Sequence, residues 1–204
     1  GVAEIAEIVE PVQLTTDLAG APDRVLCGEL SCEIMQREQG FAVRVRDPES
    51  PTRKAFSGLD YFPIRHDLRV LAELDAYTPY KPLDLAYDGG ASEHYESPGR
   101  ARFELDGVTC ELDVVLDGNG SRLLAVFADA TNRDSSYGAG RFLYAPLPVE
   151  RRVVLDFNQA FNPPCAFTPH ALCPLPPQQN RLAVRIEAGE KRPRESHENH
   201  DGGQ

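Results

Sequence analysis

Residues 103–112 read FELDGVTCEL, and this stretch decides the fold class. Apolar and polar side chains alternate on both sides of Asp106-Gly107, which is the period of a half-buried β-strand. An Asp-Gly pair between two such runs favours a two-residue type I′ turn, because both turn residues need a positive φ. The stretch therefore predicts a β-hairpin with one buried apolar face. The side chains predicted on that face are Phe103, Leu105, Val108, Cys110, Leu112 and Val114.

Outward from this hairpin, most of the chain also has the pattern of short strands. Further strands are predicted at 41–45, 70–74, 123–127, 141–147, 153–157 and 182–186, giving eight or nine in all. Residues 3–10 suit either a short helix or a strand. No segment between the strands has the helical periodicity that parallel crossovers need. We therefore expect a mainly β fold, a single antiparallel barrel or sandwich.

Two segments depart from this pattern. Residues 162–177 hold six of the 17 prolines, and proline removes the backbone donors of a sheet. We expect a long, stiff proline-rich loop there, outside the sheet. Residues 192–204 are polar and charged, so they are predicted to be a C-terminal tail beyond one domain formed by residues 1–191.

The charge and cysteine content restrict the class of partner. The net charge is −11, which argues against nucleic-acid binding, since a phosphate backbone needs a basic surface. No apolar run is long enough for a transmembrane helix, so we expect no membrane partner. Five cysteines are an odd number for a disulfide scaffold, which favours a reducing cytoplasm. The sequence does not indicate which oligomeric state the protein has.

Several motifs resemble one bacterial and archaeal family, catalogued as domain of unknown function 1684 (DUF1684). They are LDFNQAFNPPCAF at 155–167, CPLPP at 173–177, NRL at 180–182, IEAGE at 186–190, FSGLDYFP at 56–63, DAT at 129–131 and YGAGRFL at 137–143. The resemblance extends over about residues 12–191 and implies no established activity. Family members begin with an upstream segment containing tryptophan, and this sequence has no Trp. A site that needs that segment would be incomplete here.

The motifs place polar side chains where a small polar or anionic ligand could bind. The candidate ligand-binding residues are Tyr137, Arg141, Asp156, Asn158 and Asn162. Arg141 could bind a phosphate or carboxylate in a bidentate manner, or it could form a salt bridge with an acid such as Asp129. Asp156 and the two asparagines could equally bond the backbone of a loop. Because consecutive strands usually pair, we expect Arg141 to approach Asp156.

The proline-rich loop contains the candidate catalytic residues Cys165, His170 and Cys173. A structural zinc would need a fourth ligand from elsewhere, such as Cys27, Cys32 or Asp156, so we expect no metal and no cofactor. The two loop cysteines are expected to be buried thiols or a disulfide. The leading hypothesis is a non-catalytic small-ligand-binding or structural module. The alternative is a small hydrolase-like enzyme with a reactive cysteine and His170 as base.

Overall fold

The predicted hairpin is present. Its two arms are the end of β6 (Ser92–Leu105) and the start of β7 (Val108–Leu116). The turn residues Asp106 and Gly107 have φ values of 50° and 76°, as a type I′ turn requires. Five of the six side chains predicted on the buried face are buried, whereas Val108, beside the turn, is 45% exposed.

The computed structural model describes residues 2–4, 11–37, 40–87, 90 and 92–194. These residues form two compact units, 1–56 and 57–204, and the fold is mainly β, as predicted. That residues 1–191 make one domain stays a prediction. The other strands are β1 (Val2–Glu4), β2 (Arg24–Cys27), β3 (Leu30–Arg37), β4 (Gly40–Arg46), β5 (Arg69–Ala86), β8 (Leu123–Phe127), β9 (Arg141–Ala145) and β10 (Arg152–Asp156). No helix in the described ranges is long and apolar enough to cross a membrane.

The first unit contains a four-stranded sheet in the order β1-β2-β3-β4 and a short helix, α1 (Pro51–Ala55). Strand β1 is parallel to β2, and the other pairs are antiparallel. The strand predicted at 41–45 exists, but the expectation that it is half-buried is wrong. Phe41, Val43 and Val45 are 73%, 58% and 56% exposed, and the other residues of β4 are exposed as well, so neither face of this edge strand is buried. The helix-or-strand alternative for 3–10 falls mostly on residues 5–10, outside the described residues.

The second unit contains a six-stranded antiparallel sheet that curls into a half-barrel, in the order β10-β5-β6-β7-β8-β9. Its concave core takes side chains from every strand. Large members of this core are Leu74, Phe103, Leu112, Leu123, Phe127, Leu143, Leu155, Phe157 and Ile186. Burial of this much apolar surface is the main stabilising contribution to such a sheet.

Two expectations about the sheet are wrong. Strands β9 and β10 follow each other in sequence but stand at opposite ends of the strand order, because β10 pairs with β5 and β9 with β8. Residues 182–186 form no named strand. The segment lies along the end of β8 instead, through backbone bonds from Leu182 to Ala128 and from Ala130 to Val184.

Residues 162–177, the proline-rich loop, contain no named strand and one short 3-10 turn, Pro164–Ala166. The loop returns to the sheet where the amide of Leu175 donates to the carbonyl of Ala86 at 2.7 Å. A second apolar cluster lies where Cys173 of this loop meets the sheet. Its fully buried members are Leu85, Val115, Leu124, Val126, Phe142 and Cys173.

Candidate functional site

The side chain of Arg141, the first residue of β9, is entirely buried. Its Nη2 donates to Asp129 Oδ2 at 2.6 Å and to the carbonyl of Ile186 at 2.8 Å. Its Nη1 donates to the carbonyl of Ala188. A buried guanidinium is tolerated when its charge is paired and most of its donors are satisfied. Arg141 therefore joins the strand to residues 180–192, which we call the C-terminal arm.

Asp129 faces Arg141 because it begins a short 3-10 turn directly after β8. Its Oδ1 accepts from the amides of Thr131, at 2.8 Å, and Ile186, at 3.2 Å. The side chain of Asn132 accepts from the amide of Asp129, which completes a capping box. The carboxylate thus caps the turn, neutralises Arg141 and holds the C-terminal arm. Together these contacts form the Arg141 cluster: Arg141, Asp129 and the backbone of 186–188.

One donor of the Arg141 cluster remains unsatisfied. Arg141 Nε is buried and has no hydrogen-bond partner within the described ranges. The ring of Phe127 lies 5.4 Å from the guanidinium carbon, close enough for a cation–π contact. The cluster is therefore sealed by an aromatic side chain and peptide groups, and a ligand could reach Arg141 only by displacing them.

Tyr137 and Gly140 connect the turn before β9 to the proline-rich loop. The hydroxyl of Tyr137 donates to the carbonyl of Cys165 at 3.2 Å. Gly140 has a φ of 111°, and a Cβ there would lie 2.5 Å from Pro176 Cγ. Only glycine permits both that conformation and that approach. The Tyr-Gly-Ala-Gly-Arg motif thus brings the loop against the sheet.

The two candidate asparagines bond to backbone. Asn158 accepts from the amide of Arg65 and donates to its carbonyl, both at 2.9 Å. Asn162 donates through Nδ2 to the Glu190 carboxylate at 3.0 Å and to the carbonyl of Lys191 at 2.7 Å. Of the two interpretations that the sequence allowed, these bonds match the pinning of backbone. The segments pinned are the one at Arg65 and the C-terminal arm.

Asp156 does not pair with Arg141, so that expectation is wrong. Its carboxylate accepts from Asn158 Nδ2 at 2.9 Å and Gln159 Nε2 at 3.1 Å, and it lies 3.8 Å from Arg69 Nε. The reason is the sheet order, since β10 pairs with β5 and places Asp156 opposite Arg69.

Asp156 instead lines a groove between β9 and β10, where the curled sheet does not close. This seam groove has a volume of about 190 Å³. Its lining residues are Arg69, Tyr144, Pro146, Val154, Asp156 and Gln159. Tyr144 forms one wall of the groove, and its ring is packed against two side chains. The ring stacks on Phe161 with centroids 5.4 Å apart, and the Arg122 guanidinium carbon lies 3.8 Å from its centre.

The three candidate catalytic residues all lie on the proline-rich loop, but among the described residues only Cys165 and Cys173 of the three are joined by a hydrogen bond. All five cysteines are free thiols. Burial raises the pKa of Cys173 to about 11, which keeps it protonated at neutral pH. His170 is exposed, and in the part of the chain that is described its imidazole makes no hydrogen bond to either loop thiol. Among the described residues, no three His, Cys, Asp or Glu side chains are grouped to hold a metal ion.

Sequence reasoning missed a second buried polar cluster. Asn180 donates to the carbonyls of Asp113 and Val126, both at 2.9 Å, and accepts from the amide of Asp113 at 2.8 Å. The Asp113 carboxylate in turn accepts from Arg100 at 2.7 Å and Gln179 at 2.8 Å. The sequence did contain a signal for this cluster. Asp113 lies within the apolar run Leu112–Leu116, where burying an unpaired carboxylate would be costly, so it needs buried partners.

In the second unit, which is built on an antiparallel β-sheet, the motif residues thus form hydrogen bonds to the segments that lie beside the sheet. The family described as "Protein of unknown function (DUF1684)" matches residues 54–191, and the chain belongs to this family. This match confirms the resemblance to DUF1684. It begins at residue 54, whereas the sequence motifs led us to expect a start at about residue 12.

A solved structure is also similar to this chain. It is the solution NMR structure of an uncharacterized protein from Haloarcula marismortui, with 32% sequence identity and a TM-score of 0.56. The similarity covers 71% of this chain and 82% of that one. No curated protein matches the chain.

Proposed function

We propose that this protein is a non-catalytic module that binds a small polar ligand with an anionic group in the seam groove. In this proposal the family motifs hold the structure together, and the ligand binds chiefly through Arg69, which lies outside those motifs. Arg141 is not part of the proposed ligand site, because its guanidinium is sealed within the Arg141 cluster.

The observation that carries the proposal is the solvent exposure of the Arg69 side chain and its lack of hydrogen bonds to the other described residues. Its side chain is 61% exposed at the groove and makes no hydrogen bond to any other described residue. Asp156 lies 3.8 Å away, beyond hydrogen-bond distance, and its oxygens already accept from Asn158 and Gln159. The guanidinium donors are thus open to a carboxylate or phosphate oxygen, which guanidinium binds well. The groove volume suits a ligand of about the size of an amino acid.

A non-catalytic role is supported by the loop thiols. The alternative, a small hydrolase-like enzyme, needs a thiolate close to His170, and burial holds the Cys173 thiol protonated. The acidic net charge supports the absence of a nucleic-acid partner. The five free thiols support a cytoplasmic location.

The proposal is tested by NMR titration with three probes: acetate, glycine and methylammonium. Acetate and glycine should shift the amide resonances of residues 69, 144 and 156–159, and methylammonium should not. Arg69→Gln should abolish both shifts. Arg152→Gln, at the opposite end of β10, is the matched control and should retain them. No shift with either carboxylate-bearing probe, or equal shifts in the Arg69→Gln variant, would overturn the proposal.

A further inference from the structure

Cys165 and Cys173 lie close together near the two ends of the proline-rich loop. The backbone amide of Cys165 donates to Cys173 Sγ at 3.2 Å. Both are free thiols. They are eight positions apart in sequence, so a bond between the sulfur atoms would close a short loop.

The two thiols differ in their access to solvent. Cys173 is 5% exposed and packs in the second apolar cluster with Leu85 and Phe142. Cys165 is partly exposed at the edge of the same cluster. The apolar surroundings of Cys173 disfavour a thiolate there but accommodate a neutral disulfide, because the disulfide carries no charge and no donor. A reagent from solution reaches Cys165 first.

We propose that Cys165 and Cys173 are a redox pair, which a low-molecular-weight disulfide of the glutathione class converts into an intramolecular disulfide across the proline-rich loop. This inference is independent of the seam groove, since neither cysteine lines it. Its product would cross-link the loop over the second apolar cluster.

The reaction is two thiol–disulfide exchanges. In the first, Cys165 Sγ loses its proton and attacks one sulfur of oxidised glutathione, the S–S bond breaks, and one reduced glutathione leaves with that proton. In the second, Cys173 Sγ attacks the Cys165 sulfur of the mixed disulfide, and a second reduced glutathione leaves with the Cys173 proton. The two protein thiols are oxidised by two electrons, and one oxidised glutathione is reduced to two thiols.

The other cysteines lack this geometry. In the β2–β3 pairing Cys27 lies opposite Leu30 and Cys32 lies opposite Val25, so the two do not face each other. Cys110 is buried on β7, where its cross-strand partner is Phe103. A Cys27→Ser/Cys32→Ser background therefore removes thiols of the first unit without touching the pair.

The test incubates this double variant with oxidised glutathione, unfolds it in urea with iodoacetamide to block the remaining thiols, and maps peptides by mass spectrometry. We expect loss of two hydrogens and a peptide linking Cys165 to Cys173. Adding Cys173→Ser should stop the reaction at a glutathione adduct on Cys165, and adding Cys165→Ser should prevent it. Adding Cys110→Ser is the matched control and should leave the linked peptide unchanged.

Two results would overturn the proposal. One is a lasting glutathione adduct on Cys165 while Cys173 stays reduced. The other is that both thiols stay reduced while exposed Cys27 of the parent protein is modified in the same incubation. A second measurement does not depend on the variants folding. Oxidised parent protein should melt about 5 °C or more above the reduced protein, from the loss of unfolded-state entropy in a loop of this size, and an unchanged Tm would count against the cross-link.

Discussion

Arg141 donates to Asp129 at 2.6 Å, and neither side chain is exposed to solvent. The pair links the start of β9 to the turn after β8, and both partners also bond the backbone of the C-terminal arm. Burial of two charges is costly, so such a pair persists when the remaining donors and acceptors are also satisfied. Here peptide groups supply most of those partners. The pair therefore has an architectural role, holding an arm that has no sheet ladder of its own.

Replacing Arg141 by Lys should strongly destabilise the fold. An ammonium group cannot reach Asp129 and the carbonyls of Ile186 and Ala188 together, because it lacks the planar fork of guanidinium. The buried carboxylate would then be under-satisfied, and we expect a loss of about 3–5 kcal/mol in the free energy of unfolding. Urea denaturation measures this loss.

The matched control is Arg185→Lys. Arg185 pairs with Asp134 at 2.9 Å, but their side chains are 42% and 56% exposed. Exposed pairs contribute about 0–1 kcal/mol, so this variant should lose less than about 1 kcal/mol. Equal losses in the two variants would contradict an architectural role for Arg141.

Gly189→Ala should destabilise more than Gly107→Ala. Both glycines have nearly the same φ, 75° and 76°, so the conformational strain of alanine is matched. A Cβ on Gly189 would lie 2.4 Å from the carbonyl oxygen of Ala160, whereas one on Gly107 meets nothing within 4 Å. We expect about 1 kcal/mol for Gly107→Ala, from strain alone, and at least about 3 kcal/mol for Gly189→Ala. Thermal or urea unfolding of both variants tests the difference, and similar losses would mean that the arm does not approach Ala160 so closely.

Asp113 should make the fold sensitive to acid. Burial by itself would raise the pKa of Asp113, but hydrogen bonds from Arg100 and Gln179 lower it below its ordinary value of 3.8. A lowered folded-state pKa contributes stability that is fully present above the unfolded pKa and is lost as the pH falls through the folded pKa. Stability should therefore fall as the pH drops below about 4.

Urea midpoints across an acidic pH series measure this effect. Asp113→Asn should flatten the decline while lowering stability at neutral pH, since it removes the charge that Arg100 binds. The exposed turn residue Glu150 offers a control, and Glu150→Gln should keep the decline of the parent protein. An unchanged acid decline in Asp113→Asn would refute the assignment.

Iodoacetamide labelling of the native protein should distinguish a structural Cys173 from a nucleophile. The exposed Cys27 should be labelled, whereas Cys110 and Cys173 should react only after unfolding, because both are buried and burial raises the pKa of each thiol. Peptide mapping gives the labelled positions. Rapid native-state labelling of Cys173 would instead favour the hydrolase-like alternative.

Local patterns predicted the parts of the fold that depend on neighbours in sequence. The Asp106-Gly107 turn and the apolar strand at 123–127 are present, because turn chemistry and strand period act over a few residues. The position of β10 beside β5 could not be predicted in this way. Its partner, Arg69–Ala86, lies about eighty residues earlier, and the rule that consecutive strands pair fails there.

The candidate site, like the fold, could be predicted from the sequence only in part. Residue types identified Arg141, Asn158 and Asn162 as polar groups that need partners, and the alternative Arg141–Asp129 salt bridge is present. Sequence could not tell which backbone each side chain holds, because those bonds join segments brought together by the curled sheet. Arg69 carried no signal, since a charged residue at the start of a strand is ordinary.

The central claim is that the Arg141 cluster holds the C-terminal arm. Amide hydrogen exchange of the Arg141→Lys variant tests this claim most directly. The amides of Ile186 and Glu190, bonded to Asp129 and to the carbonyl of Ala160 in the native protein, should exchange markedly faster in the variant. Amides of the 103–112 hairpin should remain protected. Unchanged exchange at residues 186–190 would contradict the account, because the arm would then be held without Arg141.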